Sequence, residues 1–260
     1  MNFFSELQFV IRSFAKYLVL VLLFAMVFFA VGIEKREVRG FVFPIPVIER
    51  RSITVRVFEA FSKDLLPPGV GLVAGSPLGA FTTEVEISLA LALVATLPLF
   101  LYGLISYLVP ALRTRERTIA RIILIPSSIL FVAGLFFGYR FIVPITFATL
   151  SEHAATLALQ PYFFLDEFMS MSSILLLLTG AAFLVPVLLP VTAYFGIVPY
   201  SVWREYWRHF VFLTLLVTGI VTPDGTGITM TLLSIPLLVG YAIGMGISRS
   251  FEAKPQDVQQ

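Results

Sequence analysis

The sequence predicts an all-α, polytopic integral membrane protein, and three observations predict it. Hydrophobic residues make up 58% of the 260 and charged residues only 13%, whereas a soluble domain is about a quarter charged. Several apolar runs reach or approach the ~20 residues that cross a ~30 Å hydrocarbon core. Prolines interrupt those runs at Pro98, Pro126, Pro186 and Pro190, and the third run ends near Pro144; a proline inside a helix removes a hydrogen bond and bends it. The expectation is a single membrane domain over residues 1–260 of six kinked helices with a concave face.

Taken in order, residues 1–16 place Phe3, Leu7, Ile11 and Phe14 at helical spacing, with Glu6, Arg12 and Lys16 on another face. Charges of both signs and the lack of a small-residue cleavage site read as an amphipathic lead-in rather than a signal peptide. The first span is 17–33. Residues 34–78 form an outer cap region of mixed charge, Pro-rich, in which short helices or strands are expected. The second span is 87–108, followed by a basic hinge over 107–118, and the third is 122–145. A loop at 146–167 holds Glu152, His153, Asp166 and Glu167 and no Lys or Arg. The fourth span is 168–191. The fifth, 210–221, provides only about 18 Å of helix at 1.5 Å per residue. A turn, Thr222-Pro-Asp-Gly-Thr-Gly227, leads into the last span, 228–247.

Six spans put both termini on one side, and Lys and Arg in short loops decide which side. The lead-in, the hinge, the loop after the fourth span and the tail hold Arg12, Lys16, Arg113, Arg115, Arg117, Arg121, Arg204, Arg208, Arg249 and Lys254, while the two short opposite loops hold none. Both termini are therefore expected in the cytoplasm, with 34–78 outside.

Composition also excludes. Without cysteine there is neither a disulfide nor a thiolate metal site. The two histidines offer little for a metal, no nucleotide-binding loop or catalytic motif occurs, and a net charge of +2 does not imply nucleic acid. No cofactor and no enzymatic activity are expected. Ser172 and Ser173 lie in the fourth span without a nearby Lys or His, which fits packing serines better than an intramembrane hydrolase.

Glu116 is the one acid among Arg113, Arg115, Arg117 and Arg121. Two readings stand: it relieves repulsion among those arginines, or it is kept ionised by them as a bidentate acceptor for an incoming guanidinium. Glu6, on the same side, would supply a second carboxylate. Arg50-Arg51 is ordinary loop charge, and Pro223-Asp224-Gly225 is by default a tight turn. Arg140, near the outer end of its span, pairs in this reading with Glu84 or Glu86. Trp203, Tyr206 and Trp207 read as an interfacial aromatic anchor.

Several stretches resemble the TatC family, the multispanning receptor of the twin-arginine protein translocase. They are Pro98-Leu-Phe-Leu-Tyr102, Tyr107-Leu-Val-Pro-Ala-Leu112 with Arg115-Glu-Arg117, Phe131-Val-Ala-Gly134 through Pro144, and Gly180-Ala-Ala-Phe-Leu-Val-Pro186. Thr222-Pro-Asp224, Leu232-Leu-Ser-Ile-Pro236, Leu65-Leu-Pro-Pro-Gly69 and Ser76-Pro77 agree in order as well. The resemblance implies a glove-shaped protein in the cytoplasmic (inner) membrane of a prokaryote, driven by the proton-motive force. Its expected partners are Arg-Arg signal peptides of folded precursor proteins, TatA/TatB-like single-span membrane proteins, the lipid bilayer and further copies of itself.

By the same resemblance, Glu6, Tyr107 and Glu116 match signal-peptide-binding positions. Phe183, Leu184, Pro186 and Asp224 match positions of partner contact or structure. The sequence departs from the family pattern in three places. Gln8 and Phe9 follow Glu6-Leu7 where basic residues are usual, Glu86 replaces a common basic residue, and Leu184 replaces an intramembrane acid. The alternatives are a six-span secondary transporter or channel subunit, which would need polar residues converging at mid-membrane, and a non-exporting scaffold of the same fold.

Overall fold

A computed structural model describes the backbone of residues 3–38, 41–47, 52–108, 114–157, 162–222 and 227–252, and the side chains of 15–31, 52–101, 123–157, 162–222 and 227–250. The chain divides into two compact units, one of residues 1–105 with 157–173 and the other of 106–156 with 174–260.

In the first unit, α1 (Phe3–Ala30) is one helix of 28 residues. The amphipathic lead-in and the first span are thus continuous, because neither Pro nor Gly interrupts the stretch. The span ends at Ala30, three residues before its predicted end, since Gly32 already begins a strand. The outer cap region contains β1 (Gly32–Val38) paired antiparallel with β2 (Phe41–Val47), Val38 opposite Phe41 and Gly32 opposite Val47. Pro44 and Pro46 have the same parity along β2, so both missing N–H groups fall on one edge, the placement a strand tolerates and one that discourages further pairing.

Next come α2 (Ile53–Leu65) and β3 (Gly71–Val73), the latter pairing parallel with β4 (Tyr162–Phe164). A Cβ at Gly71 would stand 2.9 Å from the Tyr162 ring, so this pairing needs glycine there. α3 (Gly79–Leu108) begins eight residues before the predicted span, with Pro98 inside it. Edge-to-face pairs Tyr17–Phe100 and Phe29–Phe81 hold α1 against α3. Leu65, Ile87 and Phe168 are buried in this unit.

The second unit corrects the sequence reading in three places. The basic hinge is helical from Thr114, where α4 (Thr114–Phe137) starts. The helix does not stop near Pro144: α4 passes through a π-turn, Gly138–Ile142, into α5 (Val143–Thr156), so the first part of the predicted loop 146–167 is helix. The π-turn explains how proline is accommodated. The Val143 N–H reaches back five residues to the Gly138 carbonyl, which widens the helix where the Pro144 ring would otherwise press on the preceding turn.

The fourth span is also broken, into α6 (Leu165–Ala182) and α7 (Val185–Tyr194). Pro186 has no N–H to give to the preceding turn, and Phe183–Leu184 form the break. α7 closes through Gly196 at φ 69°. Its N–H reaches the Ala193 carbonyl and that of Ile197 the Thr192 carbonyl, the αL helix stop that favours glycine. There follow α8 (Tyr200–Glu205), α9 (Trp207–Val221) and α10 (Ile228–Glu252).

Among the described residues, four helical stretches are long and apolar enough to cross a membrane: Gly79–Leu101, Ile123–Thr156, Leu165–Ala182 and Ile228–Ser250. Ala15–Ala30, Val185–Tyr194 and Trp207–Val221 are shorter apolar helices. The 15 residues of α9 give about 22 Å at 1.5 Å per residue, longer than predicted and still short of the ~30 Å core. Helices of this unit approach closely over small residues. A Cβ at Gly240 would lie 3.0 Å from Pro186 Cδ, and one at Gly244 3.1 Å from Leu189 Cβ, so α10 packs on α7 along two glycines. The buried hydroxyls of Thr218 on α9 and Ser234 on α10 meet at 2.9 Å.

Candidate functional site

Tyr107 lies in the last turn of α3 and Glu116 is the third residue of α4. They flank the connection 109–113, which is outside the described residues, and both belong to the second unit. The structure therefore changes the setting of Glu116 from a loop to the first turn of a helix. There the aligned peptide dipoles present partial positive charge. Glu6 lies in the first turn of α1, in the first unit. The side chains of Glu6, Tyr107 and Glu116 are outside the described residues, as is Asp224 entirely.

The break in the fourth span is described in full. The Phe183 ring lies 5.6 Å from that of Phe137, tilted by 41°. Leu184 is only 6% exposed, and its N–H donates to the Ala181 carbonyl. Pro186 is the residue against which Gly240 of α10 closes. At Leu184 the chain thus places an apolar side chain inside its own packing.

Two arrangements were not anticipated from sequence. Glu86 of α3 lies within electrostatic reach of Asp166, a second acid, in the first turn of α6. Glu86 Oε2 and Asp166 Oδ1 are both buried without a hydrogen-bond partner among the described residues. The Arg140 guanidinium lies over the Phe141 ring, 6.0 Å from its centroid. Only the acidic opening of α6, Asp166-Glu167, signalled the first of these.

The second arrangement joins α7, α8, α9 and α10. The Tyr241 hydroxyl donates to the Trp203 carbonyl, Trp203 Nε1 donates to Thr192 Oγ1 at 3.2 Å, and Phe210 stacks on Tyr241 at 4.2 Å. Trp203 turns its indole N–H to Thr192, while Tyr206 and Trp207 stay exposed. Among the described residues no group of three or more His, Asp or Glu is placed to hold a metal ion.

A family model described as "Sec-independent protein translocase protein (TatC)" matches residues 8–236. The chain belongs to the TatC family. Similar TatC proteins occur in distant lineages. The chloroplast Sec-independent protein translocase protein TATC of Pisum sativum is 30% identical over 71% of this chain and 54% of its own length, so the chain spans about half of that relative. The Aquifex aeolicus TatC is 28% identical over 78% of this chain and 85% of its own length. A crystal structure described as the twin-arginine translocase receptor TatC superposes with a TM-score of 0.75 at 23% identity, covering 95% of this chain and 99% of that one. At that identity the likeness establishes a shared fold, and with it a polytopic helical membrane protein.

Proposed function

We propose that this TatC-family chain is the receptor and core subunit of a twin-arginine translocation system. It crosses the cytoplasmic membrane of a prokaryote six times, with α6 and α7 making one passage and both termini cytoplasmic. Glu116, assisted by Glu6 and Tyr107, accepts the arginine pair of a folded precursor's signal peptide. Small single-span TatA/TatB-like partners and further copies of the chain then assemble on it, and the proton-motive force drives transport. Phe183, Leu184, Pro186 and Asp224 are proposed as positions of partner contact or of structure.

The observation that carries this reading is the family match over residues 8–236, with Glu116 in the first turn of α4 directly after the connection that follows Tyr107. A carboxylate flanked by arginines at a helix N-terminus stays ionised, and two N–H donors of a guanidinium fit its two oxygens. Lysine offers a point charge without that geometry. The sidedness follows from the Lys and Arg of the short loops.

Photo-crosslinking tests it. A probe at Tyr107 or Thr114 should give adducts with a precursor bearing an Arg-Arg signal, few with a Lys-Lys signal, and few when Glu116 is changed to Ala. Adducts indifferent to both changes would overturn the receptor assignment and bring forward a non-exporting scaffold, the reading that Leu184 favours.

A further inference from the structure

We infer that the corner between α8 and α9 is a docking surface for anionic phospholipid headgroups. Arg204 in the last turn of α8 and Arg208 in the first turn of α9 stand on either side of Tyr206, where the chain changes direction. Both arginines are exposed, and neither has an ion pair among the described residues. Arg208 rests its guanidinium 5.6 Å from the Trp207 ring centroid, a cation–π seat that holds the charge outward. Glu205 is the one acid between Trp203 and His209, so this segment carries two guanidiniums and one carboxylate.

The corner is held in place from behind. Trp203 is anchored through its indole to Thr192 and through its carbonyl to Tyr241, which fixes one side of α8 against α7 and α10. Arg204, one residue on, is left on the outer side. Depth follows from what comes next. α9 starts at Trp207 and exposes apolar side chains such as Phe212, Leu213 and Ile220, surfaces that belong among acyl chains. Lipids lying along α9 bring their headgroups to the helix start, where Tyr206 and Trp207, both about half exposed, mark interfacial depth. A guanidinium matches phosphate oxygens bidentately. This combination favours an anionic lipid over an acidic protein, which would leave the aromatic pair and the apolar flank of α9 unexplained.

The two tryptophans of the chain, Trp203 and Trp207, both lie in this corner, so their emission reports on it alone. The full chain would be reconstituted in vesicles of brominated phosphatidylglycerol mixed with phosphatidylcholine, and in the converse mixture. Quenching should be stronger with the brominated anionic lipid at equal fraction. The preference should be on the order of fivefold for each arginine, should fall toward equality in Arg204→Gln/Arg208→Gln, and should weaken between 0.1 and 1 M salt as screening requires. Equal quenching by the two lipids in the unaltered chain would overturn the inference. So would a preference that survives the double substitution or, if that variant does not reconstitute, one that survives high salt.

Discussion

Gly134 of α4 and Gly180 of α6 are in backbone contact: a Cβ at Gly134 would lie 2.9 Å from Gly180 Cα and 2.8 Å from the Thr179 carbonyl oxygen. A Cβ at Gly180 would meet the Phe131 ring at 2.6 Å. Without hydrophobic drive between helices in lipid, such close approach is a main source of attraction. Either glycine changed to Ala should cost about 1–3 kcal/mol of overpacking. Gly246→Ala, where the added carbon meets no atom from outside its own stretch of helix within 4 Å among the described residues, should instead stabilise by about 0.5–1 kcal/mol through helix propensity. Thermal unfolding in detergent ranks the three variants, and Gly134→Ala matching Gly246→Ala would contradict the close contact.

The Thr218–Ser234 hydroxyl contact joins α9 to α10 although each hydroxyl also has a carbonyl within its own helix, at Thr214 and Met230. Its net value is therefore modest. A double-mutant cycle through Thr218→Val and Ser234→Ala should return a coupling of about 0.6 kcal/mol, the typical figure for such bonds between membrane helices. Strict additivity would show that the two helices are held by packing alone.

Tyr241→Phe keeps the ring that stacks on Phe210 and removes only the hydroxyl that reaches the Trp203 carbonyl. The expected loss is about 1 kcal/mol, with a red shift of tryptophan emission as Trp203 loosens from Thr192. An unchanged spectrum and midpoint would mean that the hydroxyl does not hold α8.

Glu86 and Asp166 each bury a carboxylate oxygen without a partner among the described residues, and Asp166 lies within electrostatic reach of Glu86. An amide at either position removes repulsion and adds an N–H donor. Glu86→Gln should therefore raise stability by about 1 kcal/mol, the usual net value of one hydrogen bond. A lower unfolding midpoint for this variant would show that the carboxylate has a stabilising role.

These features differ in how visible they are from sequence. Continuous apolar stretches such as α3 and α10 announce themselves because burial in lipid demands hydrophobicity on every face, and the small residues that close α7 onto α10 sit within them. Prolines were informative about bending and misleading about ends. Pro144 looked like a stop, yet a π-turn absorbs it and the helix runs on to Thr156. Pro186, of the same residue type, breaks its helix at Phe183–Leu184. The difference lies in whether the preceding turn widens, which depends on tertiary packing such as Gly138 lying against Thr179.

The side chains behaved likewise. Glu116 stood out because its charge is isolated among arginines, and its helical setting was missed because a polar, basic stretch reads as a loop. Trp203 was legible as an aromatic at an interface but not as an inward donor, since its partner Thr192 is fixed only by the turn at Gly196. The proximity of Glu86 and Asp166 is a matter of chain topology, with about eighty residues between them, and local pattern carries no record of it.

The central claim is that a carboxylate at position 116 reads a pair of arginines. The most direct measurement is a binding cycle on the full chain in nanodiscs, pairing Arg-Arg and Lys-Lys signal peptides with the unaltered chain and with Glu116→Gln. The account predicts tighter binding of the Arg-Arg peptide to the unaltered chain, with the advantage lost in Glu116→Gln and a coupling of about 1.5–3 kcal/mol between the two changes. An Arg-Arg preference of equal size in both forms of the chain would contradict it.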